Sequence, residues 1–281
     1  MSQNAKIVMD AVRAADHDRY LTALYAPAEK RDALFSLYAF NAEIAGIRDR
    51  IHESLPGEVR LQWWRDLIAA DNDGAGIGHP VADTLKATIS AHRLPKLAFD
   101  NMLEARIFDL YDDPMPSRTD LEGYCGETAA ALIQLAAMVL DPVEAPRFAE
   151  LAGRAGCAQA MTGLLLLLPR HRKRGQCFIP ADILAAAGSS SEEFVAGDGG
   201  PGAERALAAL AALAREHLSA FERGAAALPV SLRPAFLPLA LSRAYLDKME
   251  GSRPLEGVVR LSALRRHWLL LRRASKGWPA L

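Results

Sequence analysis

The chain has 281 residues, with 33 Lys and Arg against 34 Asp and Glu, so its formal net charge is −1. A nucleic-acid-binding domain usually carries a clear basic excess, so this balance argues against nucleic acid as the main partner. Hydrophobic residues make up 51% of the chain, which is long enough to bury a sizeable core. The composition is rich in Ala, Leu and Arg and poor in aromatic residues, which favours helix over sheet.

Apolar residues recur at helical spacing along most of the chain, and this pattern predicts a series of helices. In chain order, the predicted helices are one that begins near Pro27 and runs through Ile47, then Val59–Ala70, Val81–His92, Leu97–Tyr111, Thr119–Leu140, Ala145–Leu168, Asp182–Ala187, Ala203–Ala227, Pro234–Met249 and Leu261–Ala274. No internal repeat is present, so the sequence predicts one all-α domain over residues 1–281.

Several local signals refine these helices. Thr119 or Ser117 is the predicted N-cap of the helix Thr119–Leu140. Pro169 is predicted to end the helix Ala145–Leu168. The run Asp71–Gly76 favours turns, and Gly188–Gly202 is the most loop-like stretch, predicted to be a surface loop or a hinge.

The cysteines and the N-terminal pattern bear on cellular location. Cys125, Cys157 and Cys177 form no CxxC pair and no metal-ligand spacing, so three buried reduced thiols in a reducing compartment are predicted. The first twenty residues are polar and acidic, with no apolar signal core, and no stretch approaches the roughly 18 to 20 apolar residues of a membrane span. The predicted location is the bacterial cytoplasm.

Several segments resemble the squalene/phytoene synthase superfamily in order and spacing, from about residue 16 to the C-terminus. They are Asp18–Tyr20, Pro27–Arg31, Leu37–Phe40, Leu61–Asp66, His79–Val81, Asp120–Cys125, Gly156–Gln159 and Arg174–Pro180. The resemblance implies an all-α helical bundle of the isoprenoid-synthase type with a central cavity. Tyr38, Asn41, Tyr124 and Tyr245 match positions that line the cleft in such enzymes, although ordinary core packing explains them equally well.

The enzymes of this superfamily condense two isoprenyl diphosphates head to head, and two carboxylate clusters hold the magnesium that bridges the diphosphates. The first motif, Arg-x-x-Asp-Asp-x-x-Asp, falls here on Ala42, Ala45, Gly46 and Asp49. Conserved positions of the second motif fall on Ala160, Gly163, Leu166, Leu167, Arg170 and His171. Only Asp49 keeps a carboxylate, and Glu43 lies one residue out of phase, about 100° around the helix. The pattern predicts no metal and no cofactor.

One branch of the superfamily, which holds a mitochondrial respiratory complex I assembly factor, is more similar than the enzymes. The similarity lies in Phe40–Asp49, Leu168–Pro180 and Leu261–Trp268. It implies a role in building the membrane-bound NADH dehydrogenase, with complex I subunits or assembly intermediates as partners and peripheral attachment to the inner membrane. The hypothesis is therefore a non-catalytic homologue that acts as an assembly or interaction factor.

Two alternatives stay open at the level of sequence. One is a prenyl transferase with a rearranged site, in which Asp49, Glu43 or Asp109 binds Mg²⁺ and a basic cluster binds diphosphate. The other is a protein that keeps the cavity and binds a lipid or isoprenoid ligand without reacting it.

The basic cluster consists of Arg170, His171, Arg172, Lys173 and Arg174. It is interpreted as a solvated loop, an anion site for a phosphate or lipid headgroup, or a surface for an acidic partner. The C-terminal helix is basic and amphipathic, a pattern typical of a helix on an anionic membrane or of a packed last helix with a charged outer face. Trp63 and Trp64 are predicted to pack in the core, with a tunnel lining as the alternative.

Overall fold

A computed structural model describes residues 2–51, 53–70, 78–197, 200–250 and 259–279. The described residues form α-helices and no strand, as the composition and the apolar spacing predict. The predicted turn at Asp71–Gly76 and two residues of the predicted loop Gly188–Gly202 lie outside these ranges.

The described ranges contain seventeen α-helices. The first nine are α1 (Gln3–Ala15), α2 (His17–Ala23), α3 (Ala28–Ala45), α4 (Ile47–Arg50), α5 (Ser54–Ala69), α6 (Pro80–His92), α7 (Lys96–Ile107), α8 (Arg118–Cys125) and α9 (Ala131–Leu140). The others are α10 (Ala149–Leu166), α11 (Leu168–Lys173), α12 (Ala181–Ala186), α13 (Ser191–Ala196), α14 (Pro201–Ala225), α15 (Arg233–Phe236), α16 (Leu239–Glu250) and α17 (Ala263–Lys276).

The long helix predicted at Thr119–Leu140 is instead α8 and α9, joined by a π-helical turn, Gly126–Ala130. Ser117, one of the two predicted caps, is the N-cap of α8, and its hydroxyl accepts a hydrogen bond from the backbone N–H of Asp120 at 3.2 Å. A π-turn adds one residue to the helical repeat, which apolar spacing alone does not reveal.

Prolines and short helices account for the main differences from the predicted elements. α10 ends at Leu166, and Pro169 lies in the first turn of α11, where its missing N–H costs no hydrogen bond. The helix predicted at Pro234–Met249 is divided into α15 and α16, because Pro238 between them cannot donate a backbone hydrogen bond. The predicted loop at Gly188–Gly202 contains the six-residue helix α13, and α1 and α2 precede the first of the predicted helices.

The stretch Arg118–Leu140 is long and apolar enough, by length and composition, to cross a membrane, although the sequence predicted no such stretch. Half of its most apolar window is buried inside the protein. The core helix of a soluble protein can have the same length and composition, so these two properties alone do not indicate that the stretch spans a membrane.

Contacts between residues divide the chain into two compact units. The first unit comprises Met1–Leu110, Ala131–Ala149 and Pro229–Phe236, and the second comprises Tyr111–Ala130, Glu150–Leu228 and Leu237–Leu281. The prediction of a single domain over residues 1–281 stays a prediction.

In the first unit, α3 is the central helix and packs against α1, α6, α7 and α9. All eight residues from Leu34 to Asn41 are buried, so this part of α3 has no solvent-facing side. Within that run, the ring of Phe40 makes edge contacts with Trp64, at 5.2 Å between centroids, and with Phe99, at 5.6 Å. The core prediction for Trp64 is thereby confirmed.

In the second unit, α14 is the longest helix and packs against α12 and α16, while α16 also packs against α17. The buried residues of α14 recur every three or four positions, as expected for a helix with one face on a core. They include Leu207, Leu210, Ala214, Leu218 and Phe221.

Gly156 marks the closest approach of α10 to the π-helical turn in the second unit. A Cβ at Gly156 would overlap the backbone nitrogen, Cα and Cβ of Ala130. A glycine is required here because only a hydrogen atom fits between the two backbones.

We expect Gly156→Ala to lower the free energy of unfolding by about 1–3 kcal/mol, since the added methyl group forces the helices apart. Gly153→Ala in the same helix is the matched control, because a Cβ there meets nothing within 4 Å. Ala is the better helix former, so the control should be neutral or more stable by up to about 1 kcal/mol. Urea denaturation of both variants measures the difference, and equal effects would contradict the close approach.

Candidate functional site

The residues at the first degenerate motif lie where α3 ends. Ala42 and Ala45 belong to the last turn of α3, and Gly46, with φ −89° and ψ 3°, separates it from the four-residue helix α4. Asp49, the one carboxylate kept at these positions, is in α4. The i, i+4 spacing brings two carboxylates together when both lie on one continuous helix, and α3 ends within this motif. The break and the missing acids together do not fit a magnesium site.

Glu43 is held by Arg50 of α4. One guanidinium nitrogen of Arg50 donates to a Glu43 carboxylate oxygen at 3.0 Å and to the backbone carbonyl of Glu43 at 2.9 Å. Arg50 thus both balances the Glu43 charge and binds a carbonyl that the end of α3 leaves open. A metal at Glu43 would first have to displace this pair.

Asp109, the other carboxylate considered for metal, is buried in the first unit beside Arg106. Arg106 donates to Asp109 Oδ2 at 2.8 Å and to the side-chain oxygen of Asn41 at 3.4 Å. A buried carboxylate is stable when a cation of this kind offsets its charge. Across the described ranges, no group of three His, Cys, Asp or Glu side chains has the arrangement of a metal site.

The residues at the second degenerate motif lie in the second unit. Ala160 and Gly163 are in α10, Leu167 separates α10 from α11, and Arg170 and His171 are in α11. This motif, like the first, coincides with the end of a helix. Its side chains are small, apolar or basic, so they offer no acidic ligand to a divalent cation.

The basic cluster at residues 170–174 does not form one surface. Arg170 and Lys173 are exposed, while His171 is buried with its ring 4.7 Å from the ring of Phe178. Arg172 donates to the backbone carbonyl of Gly197 and lies over the ring of Phe194, 5.7 Å from its centroid. Arg174 is half-buried. Residues 170–173 belong to α11 and Arg174 is its C-cap, so successive side chains along the helix point about 100° apart.

The four predicted cleft residues divide between the two units. Tyr38 and Asn41 are buried in α3 of the first unit, and burial raises the pKa of Tyr38 to about 12 despite the nearby charge of Arg19. Tyr245 is buried in the second unit and accepts a hydrogen bond from Arg266 at 3.4 Å, and Tyr124 is half-buried there. Their role in lining a cleft stays a prediction, as does the cavity itself.

A charged cluster that the sequence analysis missed joins α8 to α14 in the second unit. Arg118 Nε donates to Glu122 Oε1 at 2.9 Å, and the buried ring of His217 contacts the same oxygen at 3.0 Å. Arg118 also donates to Glu216 at 3.1 Å. The spacing of Arg118 and Glu122, four residues apart in one helix, is a signal that sequence reasoning could have used. His217, 95 residues further on, gives none.

This cluster sets the charge state of Glu122. Burial opposes ionisation, but hydrogen bonds and charge from Arg118 and His217 outweigh it, so the pKa of Glu122 lies below its ordinary value. The carboxylate therefore stays ionised at neutral pH and ties the two helices together.

All three cysteines are buried and free of disulfides, as predicted. Burial raises the pKa of the Cys177 thiol to about 11, so it is a poor nucleophile at neutral pH. A hydrogen bond with Cys125 lowers the pKa of Cys157 against the effect of burial. The Cys157 sulfur also lies 3.9 Å from the backbone carbonyl of Glu122, within the same part of the second unit.

Comparison with known proteins identifies the class to which this fold belongs. A sequence profile of the family described as Squalene/phytoene synthase matches residues 12–267, and the chain belongs to that family. A solved dehydrosqualene synthase in complex with ligand superimposes with a TM-score of 0.84 at 17% identity, covering 97% of this chain and 96% of that one. The all-α isoprenoid-synthase fold is thereby confirmed.

The relatives include both complex I assembly factors and enzymes. A Bos taurus protein named NADH dehydrogenase (ubiquinone) complex I, assembly factor 6 is 30% identical over 245 residues, which cover 86% of this chain and 72% of that protein. Presqualene diphosphate synthase from Rhodopseudomonas palustris is 27% identical over 195 residues, covering 66% of this chain and 69% of that enzyme. The predicted resemblance to both groups is confirmed.

We expect Glu122→Gln to lower the free energy of unfolding at pH 7 by about 1 kcal/mol, because it removes the charge that Arg118 and His217 bind. Folding lowers the pKa of Glu122 from its ordinary value of 4.5, so the ionised carboxylate stabilises the native state above pH 4.5. This contribution is lost as the pH falls through the lower pKa of the folded state. The difference from wild type should therefore shrink below pH 4.5 in urea titrations.

Glu127→Gln serves as the control, since Glu127 is an exposed carboxylate in the adjoining turn. It should change stability little at any pH. A Glu122→Gln effect that is the same at pH 7 and at low pH would show that the cluster does not act through charge.

Proposed function

We propose that this chain is a non-catalytic member of the squalene/phytoene synthase family that acts as an assembly or interaction factor for respiratory complex I. The observation that carries the proposal is the replacement of the carboxylates at both motifs by small, apolar and basic residues. The match to proteins named complex I assembly factor 6, over 86% of the chain, supports a role in complex I assembly.

The chemistry of the family supports the non-catalytic part. Ionisation of an allylic diphosphate needs divalent cations that take up the charge of the leaving group. Asp49 alone supplies a carboxylate at the motif positions, and it lies beyond the break at Gly46. Glu43 and Asp109 each already bind an arginine. We therefore propose that the protein works without a cofactor, and that Mg²⁺ belongs only to the prenyl transferase alternative.

A role in assembly requires protein partners and a place to meet them. We propose that the partners are subunits or assembly intermediates of the membrane-bound NADH dehydrogenase. The proposed place is the cytoplasmic side of a bacterial inner membrane, with the chain attached peripherally. Affinity capture of the tagged protein from detergent-solubilised membranes, followed by mass spectrometry of the captured proteins, identifies these partners.

We expect Asp49→Asn to support complex I assembly as well as wild type does. In cells that lack this chain, the amount of assembled complex I should be reduced on native gels stained for NADH dehydrogenase activity. Expression of either wild type or Asp49→Asn should restore that amount. An empty vector is the negative control. Loss of assembly in Asp49→Asn, with the variant folded and expressed normally, would indicate that this carboxylate does chemistry after all.

Titration of the purified chain with farnesyl or geranylgeranyl diphosphate should show no dependence of binding on Mg²⁺ and no extractable condensation product. Calorimetry measures binding, and product extraction measures turnover. Product formation that EDTA abolishes would restore the enzyme hypothesis. A co-purifying lipid in native mass spectrometry, without turnover, would favour the lipid-binding alternative instead.

A further inference from the structure

The outer face of α17 carries a stripe of exposed apolar side chains. Leu264, Trp268 and Leu271 are 83%, 54% and 58% exposed. Their spacing of four and three residues places them on one face of the helix. Exposed apolar residues are common singly, but a contiguous stripe that includes a tryptophan marks a surface that another molecule covers.

The inner face of α17 is fixed to the rest of the second unit. Leu270 is fully buried, and Arg266 donates to the buried hydroxyl of Tyr245 at 3.4 Å. Just beyond the helix, the ring of Trp278 makes an edge contact with Phe221, at 5.2 Å between centroids. Because these contacts set the rotation of the helix about its axis, the apolar stripe is held outward.

The charge of α17 is entirely positive. Its residues 263–276 include no Asp or Glu and five cations: Arg265, Arg266, Arg272, Arg273 and Lys276. The whole chain carries a formal net charge of only −1, so this concentration is local. Arg265, Arg272 and Lys276 are exposed beside the stripe, and the Arg272 guanidinium lies over the Trp268 ring, 5.3 Å from its centroid.

The acidic residues of the neighbouring helix do not neutralise this face. Asp247 and Glu250 of α16 are both paired with Arg215 of α14, at 3.8 and 3.0 Å. Among the described residues, the acids of α16 are thus engaged with Arg215, and the exposed cations of α17 remain open to negative charge outside the protein.

We propose that the outer face of α17 binds the surface of a bilayer that contains anionic phospholipid. Leu264, Trp268 and Leu271 enter the boundary between headgroups and acyl chains, where the amphipathic indole ring is favoured. Arg265, Arg272 and Lys276 reach the lipid phosphates beside them. The inference deepens the proposed peripheral attachment and does not need the role in complex I assembly.

Charge and shape favour a membrane over other occupants. A second copy related by a two-fold axis would bring the same cations against one another. An acidic protein surface would satisfy the arginines but would also need a pocket for Trp268 and the two leucines. A bilayer surface supplies both anionic groups and an apolar layer along the whole length of the stripe.

Flotation of the purified full chain with phosphatidylcholine vesicles, with and without phosphatidylglycerol, tests the proposal. We expect binding to the anionic vesicles, weaker binding at high salt and little binding to phosphatidylcholine alone. Trp268 is the most exposed of the described tryptophans, so tryptophan emission should shift to shorter wavelength on binding. Trp268→Phe should abolish that shift while leaving an apolar ring in place.

Substitutions separate the apolar stripe from the charges. Leu264→Ser with Leu271→Ser should weaken vesicle binding about tenfold or more. Arg265→Gln with Arg272→Gln should reduce the preference for anionic vesicles by about tenfold or more. Leu97→Ser on α7, where the leucine is 69% exposed, is the matched control and should bind as wild type does. Circular dichroism confirms that each variant is folded.

Three results would overturn the proposal. The first is that wild-type protein does not bind anionic vesicles, and the second is that the double-serine variant binds them as well as wild type does. The third is that the wild-type protein is a dimer and the double-serine variant is a monomer. The last result would assign the stripe to a second copy. If wild-type protein does not bind anionic vesicles, recovery of an acidic protein partner through α17 would assign the stripe to that partner. None of these results bears on complex I levels in cells, so the two proposals fail separately.

Discussion

Burial of eight consecutive residues along α3 is the constraint on which the first unit depends. A helix with no solvent-facing side must find a neighbour for every side chain, and α1, α6, α7 and α9 supply them. Phe40 shows the density of this packing, since Trp64 and Phe99 both contact its ring. The degenerate first motif begins directly after the buried run, so its geometry is set by the way this core helix ends. The packing of α3 in the core therefore determines where the motif residues lie.

Several acidic side chains, among them the candidate metal ligands Glu43 and Asp109, have partners within the fold. Glu43 binds Arg50, Asp109 binds Arg106, and Glu122 binds Arg118 and His217. Removing one member of such a buried or half-buried pair leaves the other charge without its partner, so these acids stabilise the fold whether or not any ligand is present. The family relationship therefore establishes a shared scaffold, while these acidic residues have structural roles within it.

Prediction from sequence succeeded where the pattern is long or local. The apolar repeat located most of the helices, a serine at the correct spacing capped α8, and isolated cysteines in apolar surroundings were buried. It failed where the determinant is short or distant. The six-residue α13 offers too few turns for a periodic signal, and the contact of His217 with Glu122 joins residues 95 positions apart. The basic run at residues 170–174 was treated as one surface because its helical twist was not anticipated. The assignment of individual motif residues to lost functions stays a prediction.

The break at Gly46 has a consequence for how this protein can change over time. Arg50 binds both the carboxylate and the backbone carbonyl of Glu43, so the end of α3 is stabilised in its present form. An aspartate introduced at residue 45 or 46 would lie at the end of α3, close to the Arg50 guanidinium. A metal site at this position would need acids at both motifs and release of Glu43 from Arg50, so no single substitution is expected to create one.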